Sequence, residues 1–458
     1  MTNADGKVQD SDFEGTIDFA GTVASTSTSD PYLRLGGIVG STQASVQNVT
    51  NSGNVTYALS AANVMSKLYM GGIAGEVRNT ANVTVNDCEN SGEVYFNFNG
   101  NAAAHTGNYI GGIIGFVAGE DIETTVSNCE NTGYVHINCN ITTACTDLIA
   151  AGIVGKMNES GSITNCDNVG GASNAGEVYI AFSDAAHTGN YAGGILGKTV
   201  NSDLAISGCT NSGYIHGGNG SKQNGATMFV GGIAAYLDGV SSVDDCENNG
   251  VLLNDQFNNT VTKAGSTFEG GIVGFALGTL SDRISITNVT NDVSDGGTIT
   301  GPRRGYGGGV VGYGEYVDID NANNTNSYNS GAFYNVGGIA GWLVNGTITG
   351  STMSGTTISS SQMQKGGGIV AVLGADSTLD NCESHVTSFS HTDTNAGATI
   401  VAGAIAGTSV ASATIQNCHY PASGTITNSS SDASPSNWAM AICSDSNFTD
   451  GGGNAADL

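Results

Sequence analysis

The pattern of apolar and polar positions repeats along this chain, and each repeat contains a glycine-rich segment. The pattern Gly-Gly-Ile-x-Gly, as at residues 71–75, is restated eleven times, and successive copies begin 29 to 42 residues apart. A repeat of this length is typical of solenoids, in which each unit packs only on its neighbours. The pattern therefore predicts one elongated body rather than several globular domains.

Alignment of the units on their glycines gives three strand-like segments per unit. In the first segment, the residue after the glycine pair is isoleucine or valine in every unit, which predicts a stacked core column. Its members are Ile38, Ile73, Ile113, Ile153, Ile195, Ile233, Ile272, Val310, Ile339, Ile369 and Ile405. Counting back by twos predicts that a set of aromatic rings shares this face, namely Tyr69, Tyr109, Tyr191, Phe229, Phe268 and Tyr306.

The same alternation predicts that the first segment is apolar on both faces. The residues opposite the isoleucine column are Leu35, Met70, Ile110 and Val230 before the glycines and Val39, Ala74, Ile114 and Val154 after them. Two buried faces need a cover, either from the chain's own loops or from another subunit. Self-association is therefore one hypothesis for this protein.

The second segment carries another apolar column and ends at a corner. Two residues after the apolar position stands Asn, Asp or Gly, the types that tolerate left-handed backbone. A small residue follows, which is cysteine in seven units, and asparagine stands two residues further on in eight successive units. We expect the cysteines to be buried as small apolar side chains and the asparagines to form a hydrogen-bonded ladder. The asparagines are Asn51, Asn90, Asn131, Asn168, Asn211, Asn248, Asn291 and Asn324.

Three short strands and three corners per unit, with like residues in register, predict the fold class. It is all-β, a single right-handed parallel β-helix (β-solenoid) of about eleven three-strand coils. Residues 13–425 are predicted as the repeat domain and residues 1–12 as a flexible N-terminal tail. Residues 426–458 are predicted as a C-terminal cap and mobile tail, in which Trp438, Met440, Ile442 and Cys443 fold over the last coil.

The charge balance narrows the choice of partners. Twelve basic residues against 40 acidic ones give a net charge of −28, which disfavours binding to nucleic acid or anionic lipid. No apolar run approaches the ~20 residues that a membrane span needs. The first residues lack the apolar region of a signal peptide, so either the protein is cytosolic or a signal or anchor segment has been removed from this chain.

A recurrence with a period of two coils marks the third segment. It reads Gly-Glu-Val-Tyr from residues 92 and 176, and Gly-Tyr-Val/Ile-His from residues 133 and 213. Alternation places eight candidate ligand-binding side chains on one outer face: Glu93, Tyr95, Tyr134, His136, Glu177, Tyr179, Tyr214 and His216. Aromatic rings beside carboxylates and imidazoles are typical of a platform that stacks sugar rings. The alternative is cross-strand pairing that stabilises an ordinary solvent face.

Metal and catalytic sites have less support in the sequence. Zinc needs paired cysteine spacings, and the column cysteines stand about one coil apart, so no metal site is predicted. Acidic clusters at residues 120–123 and 244–247 could hold Ca²⁺, although solvated carboxylates are the simpler interpretation. Cys139 and Cys145 could pair across an insertion, and His105 and His187 are expected in exposed turns. No nucleophile with its base and no recurring carboxylate pair stands out, so we predict a non-enzymatic protein without a cofactor.

The repeat resembles the GLUG motif, which occurs in tandem in large surface and secreted proteins of bacteria. The resemblance rests on GGIAG followed by VTVNDCENSGEV at residues 83–94, and on GGIIG followed by TVSNCENTGYV at residues 125–135. It covers most of the chain, residues 32–425. It implies an extracellular or cell-surface β-helical bacterial protein with a role in adhesion or display, and it supplies no catalytic residues.

Three functions are therefore open. The leading hypothesis is a non-enzymatic extracellular or cell-surface β-solenoid that acts as an adhesin-like stalk or displays a site for a host or surface glycan or a protein ligand. The second is a carbohydrate-binding or polysaccharide-degrading β-helix, a lyase or hydrolase, that uses the Glu/Tyr/His face. The third is a self-assembling surface structural protein.

Overall fold

The computed structural model describes residues 7–20, 32–59, 67–79, 82–100, 106–119, 123–141, 145–158, 160–170, 175–182, 187–200, 203–218, 227–254, 267–293, 305–330, 333–360, 363–391, 400–428, 436–438, 442–444 and 448–458. These residues form strands and no helix. Like segments of successive units pair in parallel and in register, so the chain is a parallel β-helix. The predicted all-β parallel β-helix is confirmed, and eleven coils, numbered from the glycine pair at Gly36, carry the repeat. A coil contributes to four sheets rather than to the three predicted, because the first segment is divided at the glycines.

The first predicted segment of each coil is bent at its glycine pair into two strands, which belong to two sheets. Sheet 1, before the glycines, contains Tyr32–Gly36, Lys67–Gly71, Gly107–Gly111, Thr146–Ala151, Thr188–Gly193, Met228–Gly231, Thr267–Gly270, Gly305–Gly308, Asn335–Gly337, Lys365–Gly367 and Val401–Gly403. Sheet 2, after the glycines, contains Val39–Thr42, Ala74–Asn79, Ile114–Gly119, Val154–Met157, Leu196–Thr199, Ala234–Asp238, Val273–Leu277, Val311–Glu315, Ala340–Val344, Val370–Leu373 and Ala406–Ser409.

The second segment forms sheet 3, and the corner divides most of its strands into a longer and a shorter piece. Sheet 3 contains Lys7–Phe13, Ser45–Asn51, Val83–Asn90, Thr124–Ser127, Glu130–Asn131, Gly161–Thr164, Asp167–Asn168, Leu204–Ser207, Thr210–Asn211, Ser241–Asp244, Glu247–Asn248, Ile284–Thr287, Thr290–Asn291, Val317–Asp320, Asn323–Asn324, Thr347–Thr349, Thr352–Met353, Thr378–Asp380, Glu383–Ser384, Thr414–Gln416 and Thr449–Gly452.

The third segment forms two sheets that follow one another along the rod. Sheet 4 contains Ile17–Ala20, Val55–Leu59, Val94–Gly100, Val135–Ile141, Val178–Phe182, Ile215–Gly217 and Leu252–Asn254. Sheet 5 contains Tyr328–Ser330, Thr357–Ser360, Ser388–His391, Gly424–Asn428 and Ser436–Trp438, and its last two strands pair antiparallel. Across the described ranges, no helix has the length and hydrophobicity that a membrane crossing needs.

Both ends of the rod carry partial coils. Lys7–Phe13 pairs in parallel with Ser45–Asn51, so residues 7–12, predicted as a flexible tail, are wrongly assigned. Their polar side chains do not predict a strand, and the strand forms because it pairs with the neighbouring coil. At the other end, Thr449–Gly452 pairs with Thr414–Gln416, so the described part of the predicted mobile tail continues sheet 3.

The C-terminal cap was predicted from four residues, and the structure describes part of it. The carbonyl of Ile442 accepts hydrogen bonds from the main-chain N–H groups of Ile405 and Ala406, at 3.1 and 3.0 Å, and so continues the isoleucine column by one coil. Cys443 is buried against the core. Trp438 lies in the antiparallel strand of sheet 5, and Met440 lies outside the described residues.

The predicted corner is confirmed in every coil. All eleven corner residues have φ between 50° and 60°, and they are Asn48, Asp87, Asn128, Asn165, Gly208, Asp245, Asn288, Asn321, Gly350, Asn381 and Asn417. The cysteines that follow are buried and unbridged, as predicted. Each donates from Sγ to the carbonyl two residues earlier, as Cys88 does to Asn86 at 3.3 Å. These thiols therefore fill small buried positions at the corner.

The asparagine ladder is also confirmed. The side-chain Nδ2 of each asparagine donates to Oδ1 of the next, at 2.7 to 3.0 Å, from Asn51 through Asn324. The last amide, on Asn324, donates to Sδ of Met353 at 3.1 Å, which ends the ladder. The ladder therefore satisfies a buried row of polar groups through coils 1 to 8.

The isoleucine column lies in the core, as predicted, but the bend at the glycine pair changes the faces predicted for the residues around it. Met70, Ile110 and Val230 lie in the main core, together with Ala74, Ile114 and Val154. The aromatic column packs in a second cluster, separate from that core, so its predicted place beside the isoleucines is wrong. The bend at the glycines interrupts the alternation, and counting by twos across it exchanges the two faces. The apolar face that motivated self-association is therefore core.

Candidate functional site

Sheet 4 brings the eight predicted ligand-binding residues to its outer face. Val94, Val135, Val178 and Ile215 are fully buried, so the residues that alternate with them point outward. Register places Tyr95, His136, Tyr179 and His216 in one column. The main-chain bonds from Val94 to Tyr134, Val135 to Glu177 and Val178 to Tyr214 place Glu93, Tyr134, Glu177 and Tyr214 in the next column.

The rings of this face stack on one another. The centroids of Tyr95 and His136 are 4.9 Å apart, those of His136 and Tyr179 are 4.6 Å apart, and those of Tyr179 and His216 are 4.3 Å apart. The planes differ by 27° to 31°, so each ring covers part of its neighbour's face. Of the eight residues only Tyr214 is well exposed, at 43%. This geometry favours cross-strand pairing over a sugar platform.

The electrostatics of the face agree with a structural stack. Burial, with a smaller contribution from His216, lowers the pKa of His136 to about 4, against an opposing effect of Glu177. The imidazole is therefore neutral at neutral pH, and its Nε2 is buried without a hydrogen-bond partner among the described residues. Burial and the nearby Glu177 raise the pKa of Tyr134, and burial raises the pKa of Glu93. Glu177 lies 3.6 Å from Nδ1 of His216.

A second surface, which we name the aromatic groove, lies between the outer faces of sheets 1 and 2. Sheet 1 contributes the column Tyr69, Tyr109, Ile149, Tyr191, Phe229, Phe268 and Tyr306. Sheet 2 contributes the column Phe116, Lys156, Lys198, Tyr236, Phe275, Tyr313 and Trp342. The two columns touch, as in Phe268 and Phe275 with centroids 4.9 Å apart. The outer surface is therefore re-entrant at the glycine bend.

The groove is closed by basic side chains in the early coils. Lys156 is 8% exposed, and its Nζ lies 4.6 Å from the ring centroid of Tyr109 and 3.1 Å from its hydroxyl. Burial lowers the pKa of Lys156 to about 8. Lys198 donates to the hydroxyl of Tyr191 at 2.9 Å and to Asp147 at 3.0 Å. These contacts occupy the rings of coils 3 to 5.

The groove opens in coils 6 to 9. Its partly exposed rings, which we name the open segment, are Tyr236, Phe268, Phe275, Tyr306, Tyr313 and Trp342. Neighbouring rings are nearly parallel in Phe268 and Tyr306, with centroids 5.3 Å apart, and in Phe275 and Tyr313, with centroids 4.8 Å apart, whereas Trp342 is tilted by 62° from Tyr313. Burial raises the pKa of Tyr313 to about 12, so its phenol stays protonated, and it donates to Glu315 at 3.2 Å. The segment offers apolar faces with hydroxyl groups at their edges.

The sequence contained a signal for this groove that the prediction did not use. The residue after the third glycine position of each motif is aromatic in Phe116, Tyr236, Phe275, Tyr313 and Trp342, and lysine in two other coils. That position recurs once per coil on the outer side of sheet 2. The contact between this column and the sheet 1 column depends on the bend at the glycine pair, and the spacing of residues in the sequence does not predict that bend.

The other candidates from the sequence have mixed outcomes. Asp244 accepts from the hydroxyl of Thr287 at 2.6 Å, and that bond lowers the pKa of Asp244. Its cluster forms no cation cage among the described residues. His187, expected in an exposed turn, is fully buried. Glu120, Asp121 and His105 lie outside the described residues.

Glu269 is a buried carboxyl that the sequence analysis did not single out. It stands in sheet 1 between Val230 and Gly307, with no exposed surface. Neither carboxyl oxygen has a hydrogen-bond partner in the described part of the chain. Burial raises the pKa of Glu269 well above its usual range. The group therefore holds a proton in the folded protein.

Glu269→Gln should remove a pH dependence of stability. Below a pKa of about 4.3, both the folded and the unfolded wild type hold the proton. Above it only the unfolded chain releases the proton, so stability falls by about 1.4 kcal/mol per pH unit until the raised pKa is passed. The variant should match the wild type near pH 4 and exceed it at pH 7, as measured by urea unfolding.

A matched control is Glu76→Gln. Glu76 is also buried, at 2% exposed, but it is ion-paired to Arg34 at 2.5 Å. Its neutralisation leaves the guanidinium with a weaker partner, so this variant should be less stable than the wild type at pH 7. Equal pH slopes for the wild type and Glu269→Gln would show that the carboxyl is ionised in the fold.

Comparison of the chain with known protein families, with curated proteins and with solved structures gave no match. A function has to be inferred from the residues of the chain itself. Two surfaces have been described, and they differ in one respect. The rings of both surfaces stack along the rod and are partly exposed, but the open segment has two facing columns of aromatic rings, whereas the ring column of the Glu/Tyr/His face alternates tyrosine with histidine.

Proposed function

We propose that this protein is a non-enzymatic, extracellular or cell-surface β-solenoid that binds an extended neutral glycan along the aromatic groove. The observation that carries the proposal is the open segment, where six partly exposed rings form two facing columns over four coils. Such a row repeats one contact per coil along the rod. An extended polymer of similar units is the ligand that a repeating surface fits.

The chemistry of the open segment suits a sugar chain. The C–H faces of sugar rings pack on aromatic rings, while hydroxyl groups at the ring edges take hydrogen bonds. Tyr236, Tyr306 and Tyr313 supply phenols whose pKa values are raised by burial, so they remain donors. The net charge of −28 disfavours an anionic glycan and supports a neutral one.

Binding without cleavage is supported by the state of the nearby carboxylates. Glycoside hydrolysis needs two carboxyl groups on either side of the scissile bond. Beside the groove, Glu76 is paired with Arg34, Asp147 with Lys198, and Glu315 accepts from Tyr313. These three carboxylates are engaged by groups of the groove itself, which favours a role in display over a role in catalysis. Burial raises the pKa of a further carboxyl, Asp238, which lies beside Tyr236 in the open segment.

Screening on an array of neutral glycans tests the proposal. The wild type should bind. The double variant Phe275→Leu with Tyr313→Leu should have an affinity at least about tenfold lower, because leucine keeps apolar bulk but lacks the aromatic face. Tyr179→Leu on sheet 4 is the matched control and should leave binding unchanged.

Three outcomes contradict the proposal. Absence of wild-type binding to every neutral glycan would exclude the ligand class. Loss of binding in Tyr179→Leu, with the groove variant unaffected, would move the site to the Glu/Tyr/His face. Release of shorter fragments from a bound glycan would favour the polysaccharide-degrading alternative.

A further inference from the structure

Two cysteines and a histidine converge at the edge between sheets 4 and 1. Cys139 lies in the strand Val135–Ile141, Cys145 directly precedes Thr146–Ala151, and His187 directly precedes Thr188–Gly193. All three are fully buried. The two sulfurs are 3.9 Å apart, and one ligand atom of each residue lies within 4.8 Å of those of the other two. In the described part of the chain this is the one such group.

This cluster differs from the cysteine column of sheet 3. Each column thiol donates to a carbonyl two residues away in its own corner, as Cys246 does to Asp244 at 3.2 Å. Cys139 faces a second thiol six residues further along the chain, and the imidazole of His187 lies beside both. The register neighbours of Cys139 are Phe98 and Phe182, so a sulfur stands where adjacent coils have large rings. Use of a thiol as a small apolar filler therefore does not account for this position.

We propose that Cys139, Cys145 and His187 form a binding site for a thiophilic closed-shell cation, Zn(II) or Cu(I). Two thiolates and an imidazole are the ligand set that these ions prefer. Ligand sulfurs about 2.3 Å from one ion are about 3.8 to 4.0 Å apart at tetrahedral or trigonal angles, which agrees with the observed 3.9 Å. The spacing of the residues in the sequence did not predict this site.

Metal binding has to rearrange the protons and hydrogen bonds of the site. Nδ1 of His187 accepts a hydrogen bond from the main-chain N–H of Cys145 at 2.9 Å. The neutral ring therefore carries its proton on Nε2, and its one lone pair, on Nδ1, is engaged by the main chain, so a cation that binds Nδ1 replaces this hydrogen bond. Cysteine binds these ions as the thiolate, so each of the two thiols has to lose its proton. Binding of Zn(II) releases two thiol protons and leaves a site without net charge.

The two cations differ in how they match the site. Zn(II) balances two thiolates in charge but takes a fourth ligand in most sites, and the described residues bring no fourth His, Cys, Asp or Glu to the group. Cu(I) is satisfied by three ligands of this type but leaves one negative charge. The shared chemistry is therefore a soft cation held by two sulfurs and one nitrogen, and separate titrations distinguish the two ions.

The test uses the full chain, reduced and kept without oxygen. It is titrated with Zn(II) or Cu(I) in competition with a chromophoric chelator. We expect one tightly bound equivalent of at least one ion, and at least about 100-fold weaker binding in Cys139→Ser, Cys145→Ser and His187→Gln. Cys246→Ser is the matched control and should bind as the wild type does, because the chain itself has Ser351 in that column.

X-ray absorption of the metal-loaded wild type gives a readout that does not depend on the folding of variants. The expected shell has two sulfurs and one nitrogen from the protein. An all-sulfur shell would assign the metal to the cysteine column and overturn the proposal. So would the absence of tight binding by the reduced wild type, including the case in which Cys139 and Cys145 are found as a disulfide in the protein as purified.

Discussion

Asn168→Ala should lower the free energy of unfolding by about 3 kcal/mol or more. Asn168 is fully buried and makes three hydrogen bonds. Its Nδ2 donates to the carbonyl of Gly176 at 2.7 Å and to Oδ1 of Asn211 at 2.8 Å, and its Oδ1 accepts from Asn131 at 2.9 Å. Alanine removes all three and leaves the partner groups buried without water. Equilibrium unfolding in urea measures the loss.

Asn97→Ala provides the matched control. Asn97 also accepts from an asparagine side chain, Asn138 at 3.1 Å, but this pair is half-buried on the outer face of sheet 4. Its loss should cost less than about 1 kcal/mol because water replaces the amide. Equal losses at Asn97 and Asn168 would show that the buried ladder contributes no more than a surface contact.

Asn168→Asp separates hydrogen bonding from packing. The carboxylate has nearly the same shape as the amide but cannot donate to Asn211 or Gly176. At neutral pH it also places a charge in a buried row, so we expect a larger loss than for alanine. Hydrogen exchange should show the lost protection in the coils on either side of Asn168, because each coil packs only on its neighbours.

The ladder and the corner could be predicted from the sequence because each depends on one residue type at one register. An asparagine that recurs once per coil has another asparagine as its neighbour in a parallel stack, whatever the shape of the coil. The left-handed corner follows from the residues that tolerate it, and φ is positive at every one. Local rules sufficed for both features.

The faces of the first segment could not be predicted, because alternation holds only within an unbroken strand. Counting from Ile73 to Tyr69 crosses the glycine pair, and the bend there reverses the result. Within the unbroken strands of sheet 4 the same counting placed Tyr95, His136 and Tyr179 correctly on the outer face. Whether those rings are accessible depends on how they stack, which alternation does not determine.

The Cys139, Cys145 and His187 cluster shows a further limit of spacing. The histidine stands 42 residues after Cys145, in the next coil, so no short motif contains the group. Its convergence depends on the start of one strand lying against the end of another at the edge between sheets 4 and 1. In a solenoid, candidate ligands have to be compared at equal positions of neighbouring coils as well as along the chain.

Gly112→Ala should be a severely damaging single-methyl change, with a loss above about 4 kcal/mol. A Cβ at Gly112 would lie 2.1 Å from the carbonyl oxygen of Gly152 in the next coil and 2.4 Å from the side-chain amide of Asn131. The first contact is with main chain, which is held by the stacking of the coils. The clash can be relieved only if the two coils move apart, and this movement also breaks the hydrogen bonds of the asparagine ladder. Urea unfolding and the yield of soluble protein measure the effect.

Gly314→Ala is the matched control, since its Cβ would meet only the ends of Val317 and Leu343 side chains, at 3.3 and 3.4 Å. It should change stability by less than about 1 kcal/mol. The chain has alanine at the Gly112 position once, at Ala404 in coil 11, three coils beyond the end of the asparagine ladder at Asn324. If a methyl group is excluded at this position only where a ladder asparagine lies beside it, Gly112→Ala should be damaging, whereas the alanine at position 404 fits the fold. A folded Gly112→Ala protein of wild-type stability would mean that the coils can shift apart without cost.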